Sequence, residues 1–409
     1  MLPFLITILS SAVASSAAAA PRSSGCSTRD TVPGAACRAQ MKSAGLRLIK
    51  TAPDAPPRWL NHSQVTKLVY TSECGGADHH PKPGFVDVTN VRHVHSHTAN
   101  LTRDIVFPSG PTKMEQVRDV IDTHLVPEGE LRGLEFLEPL TEFNNRYFTG
   151  PEAVEGSIFV ARWAERQIEM AGRTDAFVSL ITNPDFPQMN VVATIAGSNP
   201  SAPALVMGGH FDSINSVGPE EDWETARAPG ADDDGSGSTA VMLAFEAILH
   251  SGLVPVRPLE FHWYAGEERG LLGSRVMADK YEQLGRLPFA QLNLDMCGGP
   301  LGEAAFRFIG DFVSTSLTKF EQALVDEYCE NDWEDGECGY ACSDHASWHE
   351  VGVASSFPIE AVGARDPVTG EGCAGHTDDD RLACVDFANV VDYAKLAVAF
   401  VIELHDFFE

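Results

Sequence analysis

Between Gly208 and Asp380 the chain carries His, Asp and Glu residues of the types that hold a pair of divalent cations. Gly208-Gly-His-Phe-Asp212 offers His210 and Asp212. Ala231-Asp-Asp-Asp-Gly235 offers three consecutive acids, Asp232, Asp233 and Asp234. Ala265-Gly-Glu-Glu268 offers Glu267 and Glu268, Leu292-Asn-Leu-Asp295 offers Asp295, and Gly375-His-Thr-Asp-Asp-Asp380 offers His376. Imidazole nitrogens combined with carboxylate oxygens favour hard-to-borderline divalent metals, zinc above all. Two ions about 3.5–4 Å apart need a bridging carboxylate plus a His and a further carboxylate for each. His210 and His376 are the histidines in Gly-flanked, Asp-rich loops. An Asp of the 232–234 run suits the bridge, and Glu268 and Asp295 can complete the two sets. Glu267, adjacent to a ligand but directed elsewhere, suits a general base that takes a proton from water. Asp212 suits an acceptor for the second ring nitrogen of His210. Taken singly each has a bland reading, a Glu pair as solvated surface or an Asp run as a turn. Their joint order is what makes coincidence a poor account.

These residues follow, or end, runs that read as buried strands: Ala204 to Met207, Leu259 to Tyr264 and Phe289 to Leu294. Segments with helical periodicity, Ser238 to His250 and Gly270 to Leu284, lie between them. Strands alternating with helices imply a parallel-containing sheet whose ligands sit beyond the carboxyl ends of the strands. Upstream, Met114 to Leu125, Leu131 to Phe148 and Ala153 to Ala171 read as amphipathic helices. Phe177 to Ile181 and Met189 to Ile195 read as a hairpin about an Asn-Pro-Asp turn. Downstream come a strand, Phe306 to Ile309, a helix, Leu317 to Tyr328, and a closing helix, Phe387 to Leu404, whose apolar face belongs to the core. The fold class expected is α/β: a single globular domain with a mixed, largely parallel central β-sheet flanked by helices, preceded by a propeptide-like N-terminal extension.

With 409 residues and a hydrophobic fraction of 44%, the chain can bury a full core. A formal charge of −29 excludes the basic face that nucleic acid requires. Leu2 to Val13 is apolar and Ala14 to Ala20 supplies small residues, so residues 1–20 read as a secretory signal. The apolar run is too short for a membrane span, so no membrane association is expected. Residues 21–95 have sparse apolar periodicity and read as a propeptide or flexible extension, leaving 96–409 as the catalytic domain. His79, His80, His93, His95 and His97 lie in that polar segment and read as solvated loop residues rather than ligands. Asn61-His-Ser and Asn100-Leu-Thr are glycosylation sequons. The nine cysteines fit an oxidising compartment, and Cys373 and Cys384 flank His376 at a spacing that could bridge. Neither a His-Glu-x-x-His helix nor a Gly-x-Ser-x-Gly elbow is present.

The quoted motifs, together with Cys338-Gly-Tyr-Ala-Cys-Ser-Asp-His-Ala-Ser-Trp-His349, resemble the secreted di-zinc leucine aminopeptidases of bacteria and filamentous fungi, over roughly Thr141 to the C-terminus. The resemblance implies two Zn²⁺ per chain. His210 and Asp295 would hold one, Glu268 and His376 the other, and Asp233 would bridge. It further implies Glu267 as general acid/base toward a water shared by the ions, Tyr340 beside the substrate carbonyl, a Cys338–Cys342 disulfide, and an N-terminal propeptide. Met296, Phe357 and Ile359 correspond to an apolar side-chain pocket, where burying a Leu side chain contributes about 1.5–3 kcal/mol. The partners implied are peptides with free N-termini, acted on by a monomer. The loop from Ala361 to Gly375, with Cys373, departs from the family pattern. Two rival readings share the fold: a glutaminyl cyclase-like acyltransferase, which works with one zinc, and a non-catalytic receptor-like domain, which would have lost ligands.

Overall fold

The computed structural model describes Met41 and residues 46–50, 58–61, 86–87, 105–300, 306–361, 363–364 and 372–408. The signal reading of residues 1–20, the histidines from His79 to His97, Asn100, and Cys26, Cys37 and Cys74 lie outside the described residues. Among the described residues no helix is long and apolar enough to cross a membrane.

In chain order the strands are β1 (Leu46–Lys50), β2 (Arg58–Asn61), β3 (Val86–Asp87), β4 (Ala176–Ile181), β5 (Asn190–Ile195), β6 (Leu205–His210), β7 (Leu259–Tyr264), β8 (Ala290–Asn293), β9 (Phe306–Ile309), β10 (Trp333–Gly336), β11 (Ala354–Ser356) and β12 (Pro358–Glu360). The α-helices are α1 (Met114–Val120, continued by a π-helical turn Ile121–Leu125), α2 (Gly129–Thr141), α3 (Ala153–Ala171), α4 (Gly235–Ser251), α5 (Leu272–Leu284), α6 (Thr315–Tyr328), α7 (His345–Glu350) and α8 (Phe387–Leu404).

The central sheet has the order β11-β8-β6-β7-β5-β4. Strands β11, β8, β6 and β7 are parallel, and β5 and β4 close one edge as an antiparallel hairpin. This is the mixed, largely parallel sheet that strand–helix alternation predicts. Parallel strands buried on both faces need continuous apolar runs, which explains why every residue of β6 is buried; the antiparallel β5 is buried throughout as well. Helix α4 lies against β6 on one side and against α8 and α2 on the other. Every residue from Gly235 to Leu249 is therefore buried, more than the one-sided stripe its periodicity suggests. A smaller sheet, β10-β9-β12, carries Ile359 on its edge strand β12, which Phe357 immediately precedes.

One expectation changes. The helix expected from Leu131 to Phe148 ends at Thr141. Beyond it Asn145 forms a bridge to Ala228, and its side-chain amide donates to the carbonyls of Trp223 and Ala226 at 2.7 and 2.6 Å. Those long-range bonds replace the helical ones. Of the residues before 105, the described segments Leu46–Lys50, Arg58–Asn61 and Val86–Asp87 form an antiparallel sheet, β2-β1-β3. Ile49 and Leu60 pack with Tyr147, Ile214 and Trp223, while Met41, Leu46 and Trp59 pack with Leu271, Phe312, Ala341 and Ala346.

Candidate metal centre

The adjacent parallel strands β6, β7 and β8 each deliver a His or acid at or just beyond their carboxyl ends. His210 is the last residue of β6. The backbone leaves β7 at Tyr264 and turns through Gly266, at φ +62°, into Glu267 and Glu268. Asp295 follows β8 by two positions, and Met296 after it has φ +57°. Gly209 is required by closeness: a Cβ there would lie 2.4 Å from the Leu294 carbonyl and 2.7 Å from Asp234 Oδ2.

The structure distributes different tasks along the run of three acids. Asp234 caps α4, its Oδ1 accepting from Gly237 N at 2.9 Å and Met296 N at 3.1 Å, and its Oδ2 from His210 N at 3.0 Å. Asp232 Oδ1 accepts from Gly298 N at 2.9 Å and Ser236 Oγ at 3.1 Å. Asp233 has its carboxylate between the two imidazoles: Oδ1 is 3.2 Å from His210 Nε2 and Oδ2 is 3.0 Å from His376 Nε2. Asp380, from the His376 loop, accepts from the backbone of Asp232 and Asp233 at 2.8 and 3.1 Å and so ties that loop to this one.

The remaining acids complete the cluster. Asp295 Oδ1 lies 3.7 Å, and Glu267 Oε2 3.9 Å, from His210 Nε2, and Glu268 Oε2 lies 2.9 Å from His376 Nε2. Ligand-type atoms of His210, Asp233 and Glu268, and of His210, Asp234 and Asp295, lie within 4.8 Å of one another. Asp234 has both oxygens committed to backbone N–H groups, so we count Asp233, not Asp234, as available to a cation. Asp212 stands behind His210, Oδ1 3.4 Å from Nδ1, and its oxygens also accept from Glu267 N at 3.0 Å and Glu268 N at 3.3 Å.

The electrostatics are those of a cation site. Burial alone would push His210 and His376 down, but the carboxylates of Asp295, Asp212 and Asp233 on one, and of Glu268 and Asp233 on the other, raise both well above their ordinary value. Burial raises Asp233, and the two imidazoles more than reverse it. Burial pushes Glu268 up to about 7 against the pull of His376, and lifts Glu267 well above its ordinary range. Glu268 Oε1 is buried without a hydrogen-bond partner among the described residues. Two imidazoles, several carboxylates and an orphaned carboxylate oxygen form a donor set that fits divalent zinc, which would displace the protons these groups otherwise attract.

The other predicted residues lie as follows. Met296 and Ile359 are partly exposed, and Phe357 is buried with its ring 4.8 Å from that of His345. Tyr340 is partly exposed in the loop closed by the Cys338–Cys342 disulfide, where Asp311 Oδ2 accepts from Cys338 N and Gly339 N at 2.8 and 2.9 Å. Cys373 and Cys384 are also bridged, while Cys297 and Cys329 are free. Asn61 is the last residue of β2.

Some residues of the site were not anticipated. Ser343 donates to Asp295 Oδ2 and accepts from Asn293 Nδ2 at 2.8 Å. Asp344 is buried and pushed up to about 7 by that burial. Arg146 is fully buried beneath the metal loops. The Ser343-Asp344 pair directly after the Cys-Gly-Tyr-Ala-Cys loop was the available signal for the first two; Arg146, preceded by Asn144 and Asn145, offered none.

A sequence profile of Peptidase family M28 matches residues 190–401. The chain is 35% identical over 377 residues to "Leucine aminopeptidase 1" of Fusarium vanettenii, covering 89% of this chain and 88% of that protein. It is 36% identical over 328 residues to a "Probable leucine aminopeptidase" of Trichophyton verrucosum, covering 78% and 82%. The crystal structure of the LapA aminopeptidase of Legionella pneumophila superposes with a TM-score of 0.72 at 25% identity, covering 89% of this chain and 99% of that one. The chain therefore belongs to peptidase family M28, among the leucine aminopeptidases, and is a metallo-aminopeptidase.

Proposed function

We propose that this enzyme is a secreted, two-zinc aminopeptidase that releases leucine-like apolar residues from peptides with free N-termini. The observation that carries the proposal is the division of the Asp233 carboxylate between His210 and His376. His210 and Asp295 would hold one zinc, Glu268 and His376 the other, with Asp233 shared. Bound there, zinc supplies Lewis-acid polarisation of the scissile carbonyl and lowers the pKa of water. Glu267, half-buried with Oε2 3.9 Å from His210 Nε2, would take the proton of the attacking water and return it to the leaving amine. Asp212 holds the Glu267–Glu268 backbone and the His210 ring together. Tyr340 is assigned to the substrate carbonyl, and Met296, Phe357 and Ile359 to the side-chain pocket.

Two disulfides among the described residues support an oxidising destination. Residues 1–20 are assigned as signal, and Asn61 and Asn100 as glycosylation sites. The extension is assigned as a propeptide. Its packing against Ile214, Trp223, Leu271 and Ala341, all in loops beside the metal residues, supports a restraining role.

The test combines zinc content with hydrolysis of leucyl-, alanyl-, lysyl- and N-acetyl-leucyl-anilides by wild type and Glu267→Gln. Near two zincs per chain, cleavage only of free-amine substrates with leucine preferred, and loss of turnover with metal retained in the variant are expected. One zinc, no anilide cleaved by the trimmed chain, and cyclisation of glutaminyl peptides would move the reading to an acyltransferase.

A further inference from the structure

Arg146 is fully buried, yet among the described residues no carboxylate comes within ion-pair distance of it. Its guanidinium is spent on backbone carbonyls. Nε donates to Phe211 O at 2.7 Å, Nη2 to Gly230 O at 2.7 Å, and Nη1 to Pro229 O and, at 3.2 Å, to Leu140 O. Phe211 lies between His210 and Asp212, and Pro229 and Gly230 lead into the three consecutive acids. The main chain of the same residue reaches further. Arg146 N donates to Ser213 Oγ at 3.1 Å, and Ser213 Oγ in turn donates to Ala228 O at 2.9 Å. Arg146 O accepts from Gln188 Nε2 at 2.8 Å, and Gln188 Oε1 accepts from Gly266 N at 3.1 Å, one position before Glu267.

A buried cation is costly unless it is well hydrogen-bonded. Here the bonds go to the loops that present His210, Asp233 and, through Gln188, Glu267 and Glu268. Packing alone would be served by an apolar side chain, and a surface-type ion pair would have placed a carboxylate beside the guanidinium. The planar fork instead fixes the spacing of two loops that have no strand pairing to each other. Burial lowers the pKa of Arg146 to about 10, opposed by the carboxylates of Asp380, Asp212 and Asp234, all supports of the metal residues. It thus stays a cation at neutral pH.

We propose that Arg146 is a positioning residue for the metal centre, setting the separation of the His210 loop from the Asp233 loop and, through Gln188, the placement of the Glu267–Glu268 turn. This rests on the aminopeptidase reading only for its catalytic consequence; the metal-binding consequence stands apart.

The experiment compares wild type, Arg146→Lys, Arg146→Met and Gln188→Leu in the full chain. Far-UV circular dichroism checks folding, release of zinc to a chelator gives a rate, and the visible spectrum of the cobalt-substituted protein reports ligand geometry. Arg146→Lys keeps the charge and loses the fork. It is expected to fold, to release metal roughly tenfold faster or more, as for other groups that orient ligands, and to shift the cobalt bands. Its kcat should fall while KM stays near the wild-type value. Gln188→Leu should lower kcat with a smaller change in metal release, and it keeps the idea testable where Arg146→Met fails to fold. Wild-type release rates, spectrum and kcat in Arg146→Lys, with only a lowered Tm, would overturn the proposal. A wild type that loads metal but cleaves no anilide would defeat the aminopeptidase reading and leave this one to be decided by release rate and spectrum. A wild type that binds no divalent metal would overturn both.

Discussion

The carboxylate of Asp212 accepts the backbone N–H of Glu267 at 3.0 Å while facing His210 Nδ1 at 3.4 Å. One side chain thus positions the neighbouring acid loop and places a charge beside an imidazole whose Nδ1 also lies 3.2 Å from the Asp212 carbonyl oxygen. Asp212→Asn keeps the size and one acceptor oxygen but loses the charge opposite the ring. We expect kcat to fall about 10–100-fold, with metal released faster to a chelator. Steady-state kinetics together with zinc analysis check this. Unchanged kcat in a fully loaded variant would mean that the Glu267 loop is held by other bonds.

The Cys373–Cys384 bridge encloses His376, whose loop is otherwise tied by Ser216 N donating to His376 O at 3.0 Å and by the Asp380 contacts. Disulfides typically contribute about 2–4 kcal/mol, largely by limiting the unfolded chain. The Cys373→Ser, Cys384→Ser double variant should lower Tm and also release zinc faster, because a ligand loop has been freed. The Cys338→Ser, Cys342→Ser pair should alter KM through Tyr340 and leave zinc release unchanged. Equal release rates for the two pairs would show that the His376 loop does not depend on its bridge.

Glu246 lies on α4, buried, its carboxylate 3.4 Å from Arg132 Nε and 3.3 Å from Trp163 Nε1. Burial lifts it to about 7 from 4.5, in spite of Arg132. The folded state therefore binds this proton more tightly than the unfolded state. Its contribution to stability is fully present below pH 4.5 and is lost as the pH rises through 7. The whole effect is on the order of 3 kcal/mol. Glu246→Gln should raise Tm at pH 8 relative to wild type and remove part of the decline between pH 5 and pH 8, as differential scanning calorimetry would read. Parallel Tm profiles for the two proteins would count against a buried, weakly paired Glu246.

Regular patterns were legible in the sequence, and long-range contacts were not. Helix α8 runs from Phe387 to Leu404 as its apolar spacing predicts, and β7 spans Leu259 to Tyr264 likewise. Both are set by local periodicity. The end of α2 was missed because Asn145 leaves the helix for carbonyls at Trp223 and Ala226, a contact between segments far apart in sequence. Spacing alone left open which of Asp232, Asp233 and Asp234 faces a cation, since neighbouring residues differ only in what reaches them. Gly237 N and Met296 N engage Asp234, Gly298 N and Ser236 Oγ engage Asp232, and Asp233 is left between the imidazoles. Arg146 carried no periodic or motif signal, because its role depends on carbonyls of loops that come together only in the fold.

The extension offers the last test. Ile49 is almost wholly buried against Tyr147, Ile214 and Trp223, and Ile214 lies two residues beyond Asp212. Burying an isoleucine side chain is worth about 1.5–3 kcal/mol, which corresponds to roughly 10–150-fold in the ratio of docked to undocked extension. Replacing Ile49 with Asp removes that gain and adds the cost of burying a charge. If the extension restrains the site, Ile49→Asp in the full chain should raise kcat/KM for a leucyl anilide toward that of chain trimmed by limited proteolysis between residues 87 and 105. The trimmed form of the variant and of wild type should then be indistinguishable, since the altered residue has been removed from both. Equal kcat/KM before and after trimming of wild type would mean that β1 and β2 pack beside the metal centre without limiting access to it.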